Sequence, residues 1–226
     1  MNVFVLNTGR CGSLTFARAC SHITNFTSAH ESRSRLKGPE HYDYPDHHIE
    51  VDTRLSWFLG PLDAKFGDQA VYVHLLRNPE AVAQSFAKRY DVESSIIWSY
   101  RNVILMDYNI DAEDRDAEDR MAYCHDYIAT ITQNIALFLK DKTAPIVINI
   151  EAPEKGFRAL WTRIGAEGAL EAALEEFHTK HNASAAAPRR ENWIANALGR
   201  AANDPRKVIR KFRRVARKLP EFFRKA

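Results

Sequence analysis

The chain has 226 residues, 45% hydrophobic and 27% charged, enough to bury one substantial core and best read as one domain with insertions. Its opening MNVFVLN is too short an apolar run for a signal peptide and lacks a basic leader, and no stretch approaches the roughly 20 apolar residues of a membrane span, so a cytoplasmic body is expected. The three cysteines form no C-x-x-C pair, which argues against a disulfide framework or zinc site; the net charge of +3 hides ten of the 32 basic side chains in residues 206–226, leaving 22 basic against 28 acidic in residues 1–205 and no case for a nucleic-acid partner of the body.

In chain order, NVFVLN reads as a β-strand, Thr8 to Ser13 as a turn, and LTFARACS as a helix. ITNFTSA (23–29) reads as a second strand ending at His30 and Glu31. HHIEVD (47–52) is a third, and TRLSWFLGPLDAKF a helix with Thr53 as N-cap. QAVYVHLL (69–76) is apolar enough to be buried on both faces, as central parallel strands are. It runs into RNPEAVAQSFAKRY, a helix capped by Asn78 with Pro79 in its first position. Residues 94–141 read as two helices around DYNIDAED, with the duplicated DAEDR as a solvated face. APIVINIEAP (144–153) is a further strand, KGFRALWTRIG a helix closed by glycine, and 168–181 a last helical segment before the loop NASAAAPRR. Strands alternating with helices predict an α/β fold, a central parallel sheet flanked by helices with ligands at the carboxyl ends of its strands.

Two stretches carry chemistry. In TGRCGSL, the residues Thr8, Gly9, Arg10, Cys11, Gly12, Ser13 and Leu14 form a strand–turn–helix junction whose backbone N–H groups make an anion cradle, with Arg10 adding a planar charged fork. A nucleotide-hydrolysing P-loop would have a lysine directly after its second glycine; here Ser13 follows Gly12 and the cation lies two positions before it. In RNPEAVAQS, Arg77 stands where a central strand ends and Ser85 about two turns into the next helix, so both can face one phosphate.

Together these stretches resemble the sulfotransferases that use 3′-phosphoadenosine 5′-phosphosulfate. In that family a lysine or arginine stands two positions before a glycine followed by serine or threonine, as in TGRCGS, and the 3′-phosphate is read by an arginine with a serine eight positions later, as in RNPEAVAQS. Weaker likenesses run through residues 48–79, IVINIEAP, and the segment HNAS followed by PRR, where Arg189 and Arg190 match the family's late basic loop without its usual Lys/Arg-Lys-Gly form. The resemblance implies a P-loop NTPase-like sulfotransferase fold over residues 1–204. It implies in-line transfer of a sulfuryl group to a hydroxyl or amine acceptor, adenosine 3′,5′-bisphosphate as product, and no required metal. Arg10 and the loop amides would neutralise charge on the bridging oxygen. The base that takes the acceptor's proton would follow the second strand, Glu31 first and His30 second; Glu31 needs its pKa raised for the task.

HYDYPDHH (41–48) lacks metal-site spacing and is read as acceptor-pocket wall, and Tyr42, Tyr44, Trp57 and Trp98 are candidates to stack on a sugar. Residues 205–226 form a basic amphipathic helix, suited either to an anionic membrane surface or to the protein's own body; membrane binding would fit a lipid or glycolipid acceptor beside a carbohydrate one. The alternatives are a P-loop nucleotide kinase, opposed by the missing lysine and by the lack of an evident Mg²⁺-binding aspartate after an apolar strand, and a non-catalytic nucleotide- or membrane-binding module. Nothing in the sequence sets an oligomeric state.

Overall fold

The apolar run after the first two residues becomes strand β1 (Val3–Leu6), every residue of which is buried. In the computed structural model, which describes residues 1–107 and 117–179, β1 is the middle of a five-stranded sheet of order β2-β3-β1-β4-β5, with all neighbours parallel. The others are β2 (Thr27–His30), β3 (His48–Val51), β4 (Val71–Leu76) and β5 (Ile146–Asn149). From β1 the chain goes through α1 (Ser13–Cys20) to the edge strand β2, returns by β3 to lie beside β1, then crosses to the far side of β1 for β4 and β5. Connections diverge at β1 and β4, and such a divergence opens a crevice at the strands' carboxyl ends.

Helices cover both faces. On one, Phe4 packs against Phe66 of α2 (Leu59–Phe66) at 4.6 Å between ring centroids, and Tyr72 against Phe138 of α5 (Ala117–Leu139) at 5.1 Å. On the other, Ser28 Oγ donates to the Ala17 carbonyl of α1, and Gly156 of α6 (Glu154–Ile164) lies so near β5 that a Cβ there would be 2.8 Å from Ile148 Cγ1. Phe16 and Phe157 join α1 to α6 across 5.6 Å. A parallel sheet buried on both faces needs apolar residues of either parity, which is why the strands read as runs rather than alternations.

Asn78 caps α3 (Pro79–Ala87) as expected, its side chain accepting from Ala81 N at 3.1 Å. Three expectations change. The second strand starts at Thr27; Ile23 and Phe26 are buried core residues of the preceding turn, and Ile23 forms one antiparallel bridge with Gly168. The helix expected over 53–66 breaks into a 3₁₀ turn, Thr53–Trp57, and α2, and its cap is Asp52, whose carboxylate accepts from Arg54 N at 2.7 Å. Thr53 is already the first residue of that turn, and its hydroxyl points to Asn7 Oδ1, to which it donates at 2.9 Å. Between α3 and α5 the first helix is a single turn, α4 (Ile96–Ser99), running into a π-helical turn, Tyr100–Ile104. The last helical segment is α7 (Leu170–Glu175) followed by a 3₁₀ turn. Arg189, Arg190 and the basic helix expected over 205–226 lie outside the described residues.

Candidate functional site

Asn7, fully buried where β1 ends, organises the first loop. Its Oδ1 accepts from Gly9 N (2.8 Å), Thr53 Oγ1 (2.9 Å) and Cys11 Sγ (3.3 Å), while its Nδ2 donates to the Val5 carbonyl. Tyr127 of α5 donates its hydroxyl to the Thr8 carbonyl at 2.9 Å. Gly9, Arg10 and Gly12 all have positive φ. At Gly12 a Cβ would sit 2.7 Å from Ile150 Cγ1, so glycine is required for contact as well as conformation. Gly12 is the N-cap of α1 and supplies no side chain, leaving the helix's first-turn N–H groups uncapped by one.

Side chains of this loop divide sharply. Thr8 is buried, its hydroxyl donating to the Gly9 carbonyl, and Cys11 is 1% exposed with its thiol pushed up to about 12 by burial. These two shape the loop from beneath. Arg10 and Ser13 face outward: Arg10 Nε donates to Ser85 Oγ at 2.9 Å, and Ser13 Oγ lies 2.9 Å from His30 Nε2. Arg77, at the end of β4, donates from Nη1 to the Arg10 carbonyl at 3.0 Å. The two stretches singled out in the sequence therefore meet over the crevice between β1 and β4. Burial, then the proximity of Arg89 and Arg77, lowers the Arg10 guanidinium's pKa below its ordinary value. Arg10 and Arg77, joined by the bond to the Arg10 carbonyl, favour a polyanion between them. Glu151, just beyond β5, tethers the outer side, 3.9 Å from Arg77 Nε and accepting from Asn78 N.

A cavity of about 260 Å³ opens beside the loop, over β2 and β3. His30 and Glu31 reach it from the end of β2, Arg54 from the turn after β3, and Arg89 from beyond α3. Burial lowers the pKa of His30, keeping the imidazole neutral at pH 7. Glu31 takes a positive φ of 52° and is held by Arg54, with Nη1 and Oε2 2.5 Å apart. Beneath them lies Glu50, fully buried, accepting from Ser32 N at 2.9 Å, from the Ser32 hydroxyl, and facing His48 Nε2 at 3.0 Å. Burial alone would raise Glu50, but the bonds from His48 and Ser32 outweigh it and hold its pKa low.

Sequence reasoning missed Asp52. It follows β3 directly, and burial pushes its carboxyl up to about 6, helped by the charges of Glu31 and Glu50. A carboxylate next to a strand of four buried residues was the available signal. Arg89 was missed because a basic residue near a helix end ordinarily reads as solvated. The HYDYPDHH segment is not cavity wall: His41 and His48 are buried, and Tyr44 stacks on His48 and packs against Phe4. Tyr42, Tyr44, Trp57 and Trp98 do not line the cavity. Among the described residues no group of three or more His, Cys, Asp or Glu is placed to hold a metal ion, and no helix is long and apolar enough to cross a membrane. A larger groove of about 810 Å³ beyond β5 is walled by Glu151, Glu154, Glu171 and Glu175 against Lys155 and Arg158, a balance that repels a polyanion.

Compared with known proteins, the chain gives no significant match to a family model, a curated protein or a solved structure.

Proposed function

We propose that this protein is a sulfotransferase that moves a sulfuryl group from 3′-phosphoadenosine 5′-phosphosulfate to a hydroxyl or amine acceptor, a carbohydrate or glycolipid being the class favoured. The observation that carries the reading is the contact of Arg10, Arg77 and Ser85, which joins residues 67 and 75 positions apart in sequence over the crevice. Arg10 and the start of α1 would hold the 5′-phosphosulfate, and Arg77 with Ser85 the 3′-phosphate that ATP lacks. The acceptor oxygen attacks sulfur as the bond from sulfur to the bridging phosphate oxygen breaks, the acceptor's proton passing to a protein base and adenosine 3′,5′-bisphosphate leaving.

For that base we favour His30 over Glu31. A half-buried neutral imidazole at the loop is ready to accept a proton, whereas the Glu31 carboxylate is committed to Arg54 and better placed to orient the acceptor. A phosphoryl-transferring kinase is supported less well. Ser13 stands where its lysine would be, and Asp52, the one strand-end aspartate among the described residues, is fully buried and caps the turn after β3.

Calorimetric titration with adenosine 3′,5′-bisphosphate, adenosine 5′-monophosphate and ATP·Mg²⁺ tests the reading. The bisphosphate should bind most tightly, and Arg77→Ala should weaken it by roughly 10- to 100-fold without affecting the monophosphate. Equal binding of bisphosphate and monophosphate would defeat it.

A further inference from the structure

The small cavity over β2 and β3 holds one arginine that no carboxylate among the described residues neutralises. Among the described residues that line it are three arginines: Arg10 is bonded to Ser85 and belongs to the loop, and Arg54 is matched by Glu31, the only carboxylate among them. Arg89 is the remainder. It lies one helical turn beyond Ser85, is half-buried, and forms no ion pair with any carboxylate among the described residues. Its backbone is fixed on both sides: Arg89 N donates to the Phe86 carbonyl at 2.7 Å, and the Ser95 hydroxyl donates to the Arg89 carbonyl at 2.9 Å. A guanidinium held on an anchored backbone, half-withdrawn from water and unmatched by a carboxylate, is arranged to receive an anion. Arg77, which reads the 3′-phosphate on the proposed assignment, does not line this cavity, so Arg89 does not share that phosphate, and Arg10 with the start of α1 already holds the 5′-phosphosulfate on the same assignment.

We propose that the acceptor is itself anionic, bearing a carboxylate, sulfate or phosphate beside the hydroxyl or amine to be modified, and that Arg89 holds that anion. This rests on the sulfotransferase reading for the word acceptor; the anion subsite stands on the geometry of the cavity. The volume of about 260 Å³ falls just below the roughly 300–1,000 Å³ typical of drug-sized ligands, which suits one small ring and its substituent. With the anion on Arg89 at the β4 side and the ring's far edge toward Glu31 and His30 at the β2 side, the reactive group faces the loop between them.

The test uses the full chain saturated with adenosine 3′,5′-bisphosphate and titrated calorimetrically with glucose, glucuronate, glucose 6-sulfate and glucose 6-phosphate, probes that differ at one position. At least one anionic sugar should bind about tenfold or more tighter than glucose, the three arms identifying which anion is preferred. Arg89→Ala should erase that advantage, Arg89→Lys should keep part of it, and the affinity for the bisphosphate should hold in both. The proposal is overturned if no anionic sugar exceeds glucose, if the advantage survives Arg89→Ala in a variant that melts cooperatively, or if Arg89→Ala weakens the bisphosphate itself, which would make Arg89 part of the donor site. If the wild-type chain fails to bind the bisphosphate, the sulfotransferase reading falls; an Arg89-dependent preference measured without it would still uphold the anion subsite.

Discussion

The rim above β1 and β4 is held by backbone and buried amide bonds, whereas the rim above β2 and β3 is held by charge. In the first, Asn7 gathers three donors, glycines take left-handed conformations, and Gly12 lies against Ile150 with no room for a Cβ. In the second, Glu31 is held in a left-handed conformation by its pair with Arg54 and by the turn that Ser32 pins to Glu50. A rim made of hydrogen bonds presents one shape to one ligand at any pH. A rim made of ionisable groups responds to protonation and to the charge of what enters, and on the proposed function it is where the acceptor would be chosen and its proton taken.

The largest effect that would sharpen this contrast is on turnover. His30→Gln should lower sulfuryl transfer by roughly 10²- to 10⁴-fold while leaving bisphosphate affinity in place, because it removes a proton acceptor and no phosphate contact. Equal loss in both measurements would move His30 into the β1 rim. Next is stability of that rim: Asn7→Ala strands Gly9 N and Thr53 Oγ1 in the interior, and should cost roughly 3 kcal/mol in denaturant melts and disorder the loop.

Two buried groups beneath the rims titrate with opposite sign. His74, on β4 with its Nε2 unpartnered among the described residues, is pushed down to about 4 by burial. The unfolded chain therefore binds a proton below about pH 6.5 that the folded chain refuses, so this contribution is present above pH 6.5 and lost as the pH falls through 4. Asp52, raised to about 6, keeps a proton that the unfolded chain has released, so its contribution is present below pH 3.8 and lost as the pH rises through 6. Each amounts to at most about 3 kcal/mol. Melting curves from pH 4 to 7 should show His74→Phe relatively more stable than wild type toward acid and Asp52→Asn relatively less. Parallel curves for all three would abolish the contrast. Smallest is Gly12→Ala, which should cost roughly 1–3 kcal/mol in strain and contact and weaken the bisphosphate; adding Ile150→Ala should recover the contact part and leave the conformational part.

The β1 rim was largely legible in the sequence because its parts are local: a strand, two glycines and an arginine within a few residues, and Arg77, Asn78 and Pro79 punctuating the end of β4. The other rim was legible only at His30 and Glu31. Asp52 and Arg89 acquire their character from burial and from neighbours on other elements, information that residue spacing does not hold. The misreading of HYDYPDHH has the same cause, since Tyr44 and His48 are polar in composition yet packed into the core.

By itself the sequence determined the alternation of strand and helix, the parallel class of the sheet, and the two stretches that carry cations to strand ends, since periodicity, glycine and proline act through the nearest few residues. Tertiary structure decided the strand order, the bond from Arg10 to Ser85, the cap passing from Thr53 to Asp52, and the pairing of Glu31 with Arg54. Those depend on which segments lie side by side once the core is buried. Desolvation then sets the strength of every charge the core encloses.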